Sequence, residues 1–232
     1  MAERGRPRHP RLSRERVIAA ATALADEKGG AGVTMRAVAG RLGVEAMSLY
    51  NHVANREALL DGMVDAVFAE IDLPGPASDW RSAVRDRAAS ARAALRRHPW
   101  AVGLLDSRTD PGPATLRHHD TVLGVLRSQG FSVGLAVRAV SLIDSYVYGF
   151  VMQELSLPFT DRESLAEVAG GILDGPLAES HPHLAEVIAA QALAEDYDPD
   201  EDFAFGLSLI LGALRPDEAP AADGRGDGGD RR

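Results

Sequence analysis

From Leu12 onward apolar residues return every three or four positions, and no stretch of useful length alternates with the two-residue period of a strand. The pattern predicts an all-α chain. Ser13 can cap a first helix whose inward stripe is Val17, Ala21, Leu24 and Ala25, and Gly29-Gly30 ends it. A second helix opens at Thr34 and buries Met35, Val38, Ala39 and Leu42, the i, i+3, i+4, i+7 set, before Gly43 stops it. A third, very short one is expected from about Glu45 to Val53, turned inward on Leu49 and Val53. Asn55 caps a fourth, with Glu57 in its first turn and an apolar face of Leu60, Met63, Val64, Val67 and Ile71.

The pattern breaks at "DLPGPAS", Asp72 to Ser78, where two prolines mark the end of a small N-terminal unit. Beyond it helices are expected near Trp80–Arg97, Pro99–Leu105, Pro113–Gln129, Ser132–Leu155, Arg162–Leu173, His183–Leu193 and Glu201–Leu214. The expected organisation is therefore a flexible basic arm over 1–12, an N-terminal domain over 13–72, a larger helical domain over 79–215, and a disordered tail over 216–232. That tail is too polar and glycine-rich to contribute to a core.

Composition narrows the class. A chain of 232 residues with 45% hydrophobic content can bury a substantial core. It has no cysteine, so disulfide frameworks, thiolate metal sites and cysteine nucleophiles are excluded. The N-terminal stretch lacks the apolar core of a signal peptide, and no apolar run approaches the ~20 residues that cross a bilayer. A cytoplasmic protein without a membrane partner is expected.

The net charge of -9 hides an asymmetry. Residues 1–56 hold ten basic and five acidic side chains, out of totals of 25 and 34, which leaves fifteen basic against twenty-nine acidic for the rest. A basic module that touches a polyanion, joined to a body that does not, has this distribution.

The paired short helices around Gly43 describe a helix-turn-helix over about 34–53, whose second helix would enter a DNA major groove. With Leu49 and Val53 turned inward, Ala46, Met47, Ser48, Tyr50, Asn51 and His52 are left pointing outward or sideways. Small residues at 46 and 48 allow close approach, Asn51 can pair with adenine, and Met47 can touch a thymine methyl. Tyr50, His52 and Arg56, with Thr34, Met35 and Arg36 at the mouth of the preceding helix, are placed against the phosphates. The arginines at 4, 6, 8, 11, 14 and 16 supply an arm able to follow the backbone or enter the minor groove.

The stretch from Leu12 to Ile71 closely resembles the DNA-binding domain of the tetracycline-repressor (TetR) family, most tellingly in "VTMRAVAGRLGV" and "SLYNHVANREALLD". A weaker resemblance to the regulatory domain of the tetracycline-repressor branch covers Arg97 to Glu154. The resemblance implies a three-helix DNA-binding domain joined through the fourth helix to a ligand-binding and dimerisation domain. It also implies a homodimer built on Ser132–Leu155 and Glu201–Leu214, a double-stranded DNA operator as partner, and a small-molecule effector. For the last helix the residues agree independently: Phe203, Phe205, Leu207, Leu209, Ile210, Leu211 and Leu214 are apolar around most of its circumference.

The chain departs from the family founder where tetracycline-bound magnesium would sit: Ser145, Gln153 and Leu104 stand where the founder's two histidines and glutamate align. Neither that metal nor any other cofactor is expected. Arg108 matches a pocket arginine in the loop that moves on induction, and Arg87, Tyr146, Tyr148 and Gln153 are further pocket candidates. His118-His119-Asp120 and His181-Pro182-His183 lack dependable zinc spacing. No Gly-x-Ser-x-Gly, P-loop or Gly-x-Gly-x-x-Gly behind a strand appears, so no enzyme is expected. The leading expectation is a ligand-responsive transcriptional regulator, a repressor released by its inducer. The alternatives are a helical small-molecule binding protein or enzyme with purely structural N-terminal helices, and an activator or architectural DNA binder.

Overall fold

The structure is a computed structural model that describes residues 11–75, 79–157, 162–173, 177–192 and 198–217; the arm over 1–10 and the tail beyond 217 lie outside the described residues. Every regular element among the described residues is helical. The chain divides into two compact units, Met1–Val140 with Pro216–Arg232, and Ser141–Arg215. The expected break at 72–79 falls within the first unit, because the fourth helix packs closely on a helix beyond it; residues 72–75 carry no helix, and 76–78 lie outside the described residues.

The first unit begins with α1 (Arg14–Lys28), α2 (Met35–Leu42), α3 (Ala46–Leu49) and α4 (Arg56–Ala69). Their ends are set by local chemistry. Ser13 Oγ accepts from Arg16 N (3.3 Å), Thr34 Oγ1 from Ala37 N (3.1 Å) and Asn55 Oδ1 from Ala58 N (2.8 Å). Each such cap is worth about 1 kcal/mol. Gly29 and Gly43 close α1 and α2 at φ 73° and 69°, a region costly for a residue with a Cβ. Val17, Ala21, Val33, Val38, Leu49, Leu59 and Met63 are fully buried between these four helices, and Met35 and Leu42 pack partly buried at the margin.

α5 (Trp80–Arg97) and α6 (Pro113–Ser128) follow, then the first turns of α7 (Val133–Ser156). The helix expected over Pro99–Leu105 is instead two 3-10 turns, Pro99–Ala101 and Leu105–Ser107. Gly103 between them weakens any continuous helix. Asp217 returns to the start of α7, where its carboxylate accepts from Ser132 N and Oγ, both at 2.7 Å.

Two polar junctions tie the elements of this unit together. His98 Nδ1 lies 2.8 Å from Asp26 of α1, and its Nε2 lies 3.1 Å from Glu70 beyond α4, while Trp100 Nε1 donates to the same Asp26 oxygen at 2.7 Å. Asp65 of α4 accepts from both Thr115 N (2.8 Å) and Thr115 Oγ1 (3.0 Å), so it caps α6 from another helix. The residue in the N-cap position of α6 is Gly112, which has no side chain to do so. A Cβ on Gly112 would lie 2.3 Å from Asp65 Cγ.

The second unit contains the rest of α7 with α8 (Arg162–Leu173), α9 (Leu177–Ser180), α10 (Pro182–Val187) and α11 (Pro199–Ala213). The helix expected over His183–Leu193 is α10 running into a π-helical turn, Ile188–Ala192; Leu193 lies outside the described residues, and α9 was not expected. α11 starts earlier than its apolar pattern, since Asp198 accepts from Asp200 N and Pro199 fits the first helical position. Within this unit α7 packs on α11 through Tyr146, whose ring stacks on Phe203 (5.5 Å) and whose hydroxyl donates to Phe203 O (2.9 Å). Gly206 permits this approach, because a Cβ there would lie 2.4 Å from the hydroxyl oxygen.

One expectation needs correction. α7 is 24 residues long, with a mean hydropathy of 1.4 over its most apolar window, and passes the length and composition test for a membrane span. Its sparse polar residues, such as Arg138, Ser141, Asp144 and Ser145, interrupt every local apolar run without lowering the average enough.

Candidate nucleic-acid interface

The reading element is shorter than its pattern implied. α3 is a single turn, and residues 50–52 continue it as a turn closed by His52 N and Val53 N on Leu49 O (2.9 and 3.0 Å). Leu49 and Val53 sit at 0% and 3% exposure and anchor it; full burial of such a side chain is worth about 2 kcal/mol. The outer surface is what remains. Met47 is 75% exposed, Tyr50 and Asn51 are exposed, Ser48 and His52 are half-buried, and Ala46 packs partly against the core. None of these six carries an acidic group that would repel a phosphate chain.

Around this turn, Thr34 spends its hydroxyl on capping α2, beside the exposed Arg36. Met35 is half-buried and packs with the core. Arg56 is drawn inward: its Nε donates to Val33 O at 3.3 Å, and Nη1 lies 3.7 Å from Glu57. The guanidinium thus fixes the start of α4 to the segment before α2 while staying half exposed. Arg41 is paired with Glu27 through two 2.7 Å bonds, bracing α2 against α1.

A cavity of about 260 Å³ opens in the same unit between α4, α6 and the intervening loop, lined by Asp61, Val64, Leu105, Arg108, Thr115 and His119 among others. Arg108 reaches across it. Its Nη1 donates to Glu57 in the first turn of α4 (2.8 Å) and lies 3.5 Å from Asp61, while its buried Nε has no partner. Burial pushes the Asp61 carboxyl above its ordinary range; Arg108 opposes this, and Asp110 and Glu57 add to it.

Comparison with known proteins decides the family. Residues 17–63 match "Bacterial regulatory proteins, tetR family", and residues 73–216 match "Tetracyclin repressor-like, C-terminal domain". The chain belongs to the TetR family. Among its relatives is the HTH-type transcriptional repressor DrrR1 of Streptomyces coeruleorubidus, 34% identical over 94% of this chain and 82% of that protein. The class A tetracycline repressor of Escherichia coli is 33% identical over 88% of this chain and 91% of its own length. Among solved structures, the TetR-family protein ActR of Streptomyces coelicolor in complex with actinorhodin superposes with a TM-score of 0.71 at 26% identity, covering 87% of this chain and 94% of that one. Membership makes this TetR-family chain a ligand-responsive, DNA-binding transcriptional repressor.

The effector-pocket residues suggested by the sequence fall in both units. In the first unit, Arg87 is buried, with Nε donating to His118 Nε2 at 3.0 Å, and Leu104 packs on the core of α1 to α4. Of the three candidates there, only Arg108 lines the cavity. In the second unit, Ser145 and Gln153 are exposed on α7, Tyr148 is half-buried, and Tyr146 is engaged with α11. Sequence reading missed Glu57 and Asp61 as partners of Arg108, and Asp65 as the cap of α6. One local signal for Asp65 was present: α6 opens with Gly-Pro and has no capping side chain of its own.

Proposed function

We propose that this TetR-family repressor binds a pseudo-palindromic operator as a homodimer, placing one Ala46–Leu49 turn in each of two successive major grooves. A small-molecule effector bound in the C-terminal domain releases it. The domain limits are those of the sequence, 13–72 for DNA and 79–215 for effector and partner, with the cytoplasm as the place of action. The observation that carries the reading is the outward turn itself: a 75% exposed methionine beside exposed Tyr50 and Asn51, on a scaffold anchored beneath by Leu49 and Val53. Met47 and Asn51 read bases; Arg36, Tyr50, His52 and the helix mouth at Thr34 hold phosphates.

The apolar surface left in the second unit supports the dimer. Met152 and Leu155 on α7 are 57% and 44% exposed, and Phe205 and Leu209 on α11 are 66% and 59% exposed, each pair about one turn apart on its helix. A helix pair from a second copy covers these positions. The same surface accounts for the apolar average of α7 without a lipid phase, since Asp144 is buried in the middle of that helix. With Ser145, Gln153 and Leu104 at the founder's metal positions, the effector is held without that chelation.

Selection of bound duplexes from a random pool tests the proposal. Recovery of an inverted repeat, with half-sites about one helical turn apart, is the expected result. Duplex binding with no symmetric sequence in the winners, or no binding that weakens as salt rises, refutes it.

A further inference from the structure

His98 ends α5 where α1, the end of α4 and a 3-10 turn come together, and its ring is buried. Nδ1 lies 2.8 Å from Asp26 Oδ1 of α1, and Nε2 lies 3.1 Å from Glu70 Oε1, just past α4. A neutral imidazole donates through one nitrogen and accepts through the other. Carboxylate oxygens only accept, so both contacts are hydrogen bonds only when both ring nitrogens carry a proton. Among the described residues, the charged groups that face the ring are Asp26, Glu70 and, beyond Glu70, Arg97 of α5. Arg97 donates to Glu70 Oε2 from Nη2 at 2.7 Å and from Nε at 3.2 Å. The 3-10 turn Pro99–Ala101 holds no titratable residue and turns Trp100 Nε1 onto the same Asp26 oxygen.

We propose that His98 is a proton-dependent positioning residue: as an imidazolium it pins α1 to the end of α4, and loss of one proton releases that end. Burial pushes the Glu70 carboxyl up, but hydrogen bonds from Arg97 and His98, with their charges, outweigh it and hold it below its ordinary range. The shared proton therefore stays on the ring. Without it a lone pair of Nε2 faces a carboxylate oxygen at 3.1 Å, which repels. The brace is closed at low pH and opens as pH rises. What it fixes is an angle. α1 and α4 touch at Gly62, where a Cβ would lie 2.6 Å from Ile18 Cδ1, and Glu70 is ~12 Å farther along at about 1.5 Å per residue. The contact at Gly62 is a fulcrum, and the brace sets how the two helices cross. α2 rests on α1 and α3 on α2, so this crossing orients the reading turn against α4.

The proton dependence rests on the geometry around His98, and only its effect on DNA rests on the function proposed above. Tryptophan emission of the full chain is followed from about pH 5.5 to about pH 9, the range in which imidazoles titrate. Trp100 lies 6.0 Å from the His98 ring, and an imidazolium quenches a nearby indole more than a neutral imidazole does. Emission is expected to rise with pH in wild type and to stay level in His98→Gln. Glu70→Gln separates a proton switch from a plain strut, because its amide oxygen can accept from Arg97 while its NH2 donates to Nε2, which satisfies a neutral ring. Its rise is expected about one pH unit lower than in wild type, a roughly tenfold change in proton affinity. Glu70 is exposed, so this variant reports even if His98→Gln fails to fold. An open brace leaves the crossing of α1 and α4 to be ordered on binding, at an entropic cost. Affinity for a selected duplex is therefore expected to fall between about pH 6 and about pH 8.5 by roughly threefold more in wild type than in Glu70→Gln. No rise in wild type, a rise at the same pH in Glu70→Gln, or a rise that survives in His98→Gln overturns the brace. Emission that shifts as expected, with duplex affinity falling no more in wild type than in Glu70→Gln, overturns the link to DNA. The expected emission from a chain that binds no duplex supports the brace and defeats the regulator reading instead.

Discussion

Acidification should weaken the fold through one histidine. His118 is 1% exposed in the middle of α6, against Phe68 (ring centroids 5.2 Å), and accepts from Arg87 Nε at 3.0 Å. Burial first, then the charges of Arg87 and His119, pull its pKa down to about 3 from 6.5. The folded chain therefore keeps His118 neutral, whereas the unfolded chain takes up a proton as the pH drops below 6.5. The stabilisation is complete above that value and is lost progressively as pH falls toward 3. Between pH 7.5 and 5 the unfolded state gains about 1.5 pKa units of protonation that the folded state refuses, roughly 2 kcal/mol from this side chain. A His118→Gln variant keeps an acceptor for Arg87 but cannot titrate. Urea unfolding of both proteins at pH 7.5 and 5 measures the difference, since all other groups titrate in both. The variant should lose roughly 2 kcal/mol less than wild type. Parallel losses in the two proteins would show that His118 is already solvated, and the reasoning would fail.

Three further outcomes are expected. Arg36→Ala should weaken binding to cognate and scrambled duplexes alike and lower the salt slope by about 1, while Asn51→Ala should relax preference at one half-site position by about 1–3 kcal/mol, both measured by anisotropy titrations over a salt series. Gly112→Ala should destabilise the chain by about 1–3 kcal/mol in urea unfolding, because its Cβ displaces Asp65 from the start of α6; no change would mean the helices separate without cost. Leu209→Glu, at an exposed site, should leave the helical signal intact and convert the proposed dimer to a monomer in sedimentation velocity, with operator affinity lost alongside.

What could be read beforehand was governed by chemistry within a few residues. Ser13, Thr34 and Asn55 cap the helices they precede, and Gly43 closes α2, because each interaction spans three or four positions. The inward pair Leu49 and Val53 followed from spacing alone, and so did the outward set around Met47. The parts that escaped notice join distant positions: Asp65 with Thr115, Arg108 with Glu57, His98 with Asp26 and Glu70. An isolated carboxylate on a helix reads as surface whether or not another helix begins above it. The 3-10 turns around Gly103 and the π-helical turn after Val187 escaped for a different reason, since apolar spacing of three to five residues fits all three kinds of helix.

The slightness of α3 has an evolutionary consequence. Leu49 and Val53, with Ala46 at the margin, link it to the interior, so exchanges at the exposed Met47, Tyr50 or Asn51 leave the scaffold's stability within about 0.5 kcal/mol. On the proposed assignment of these side chains to the operator, which promoter is silenced can therefore drift or be re-engineered by a few codon changes, while the remainder of the molecule stays as it is.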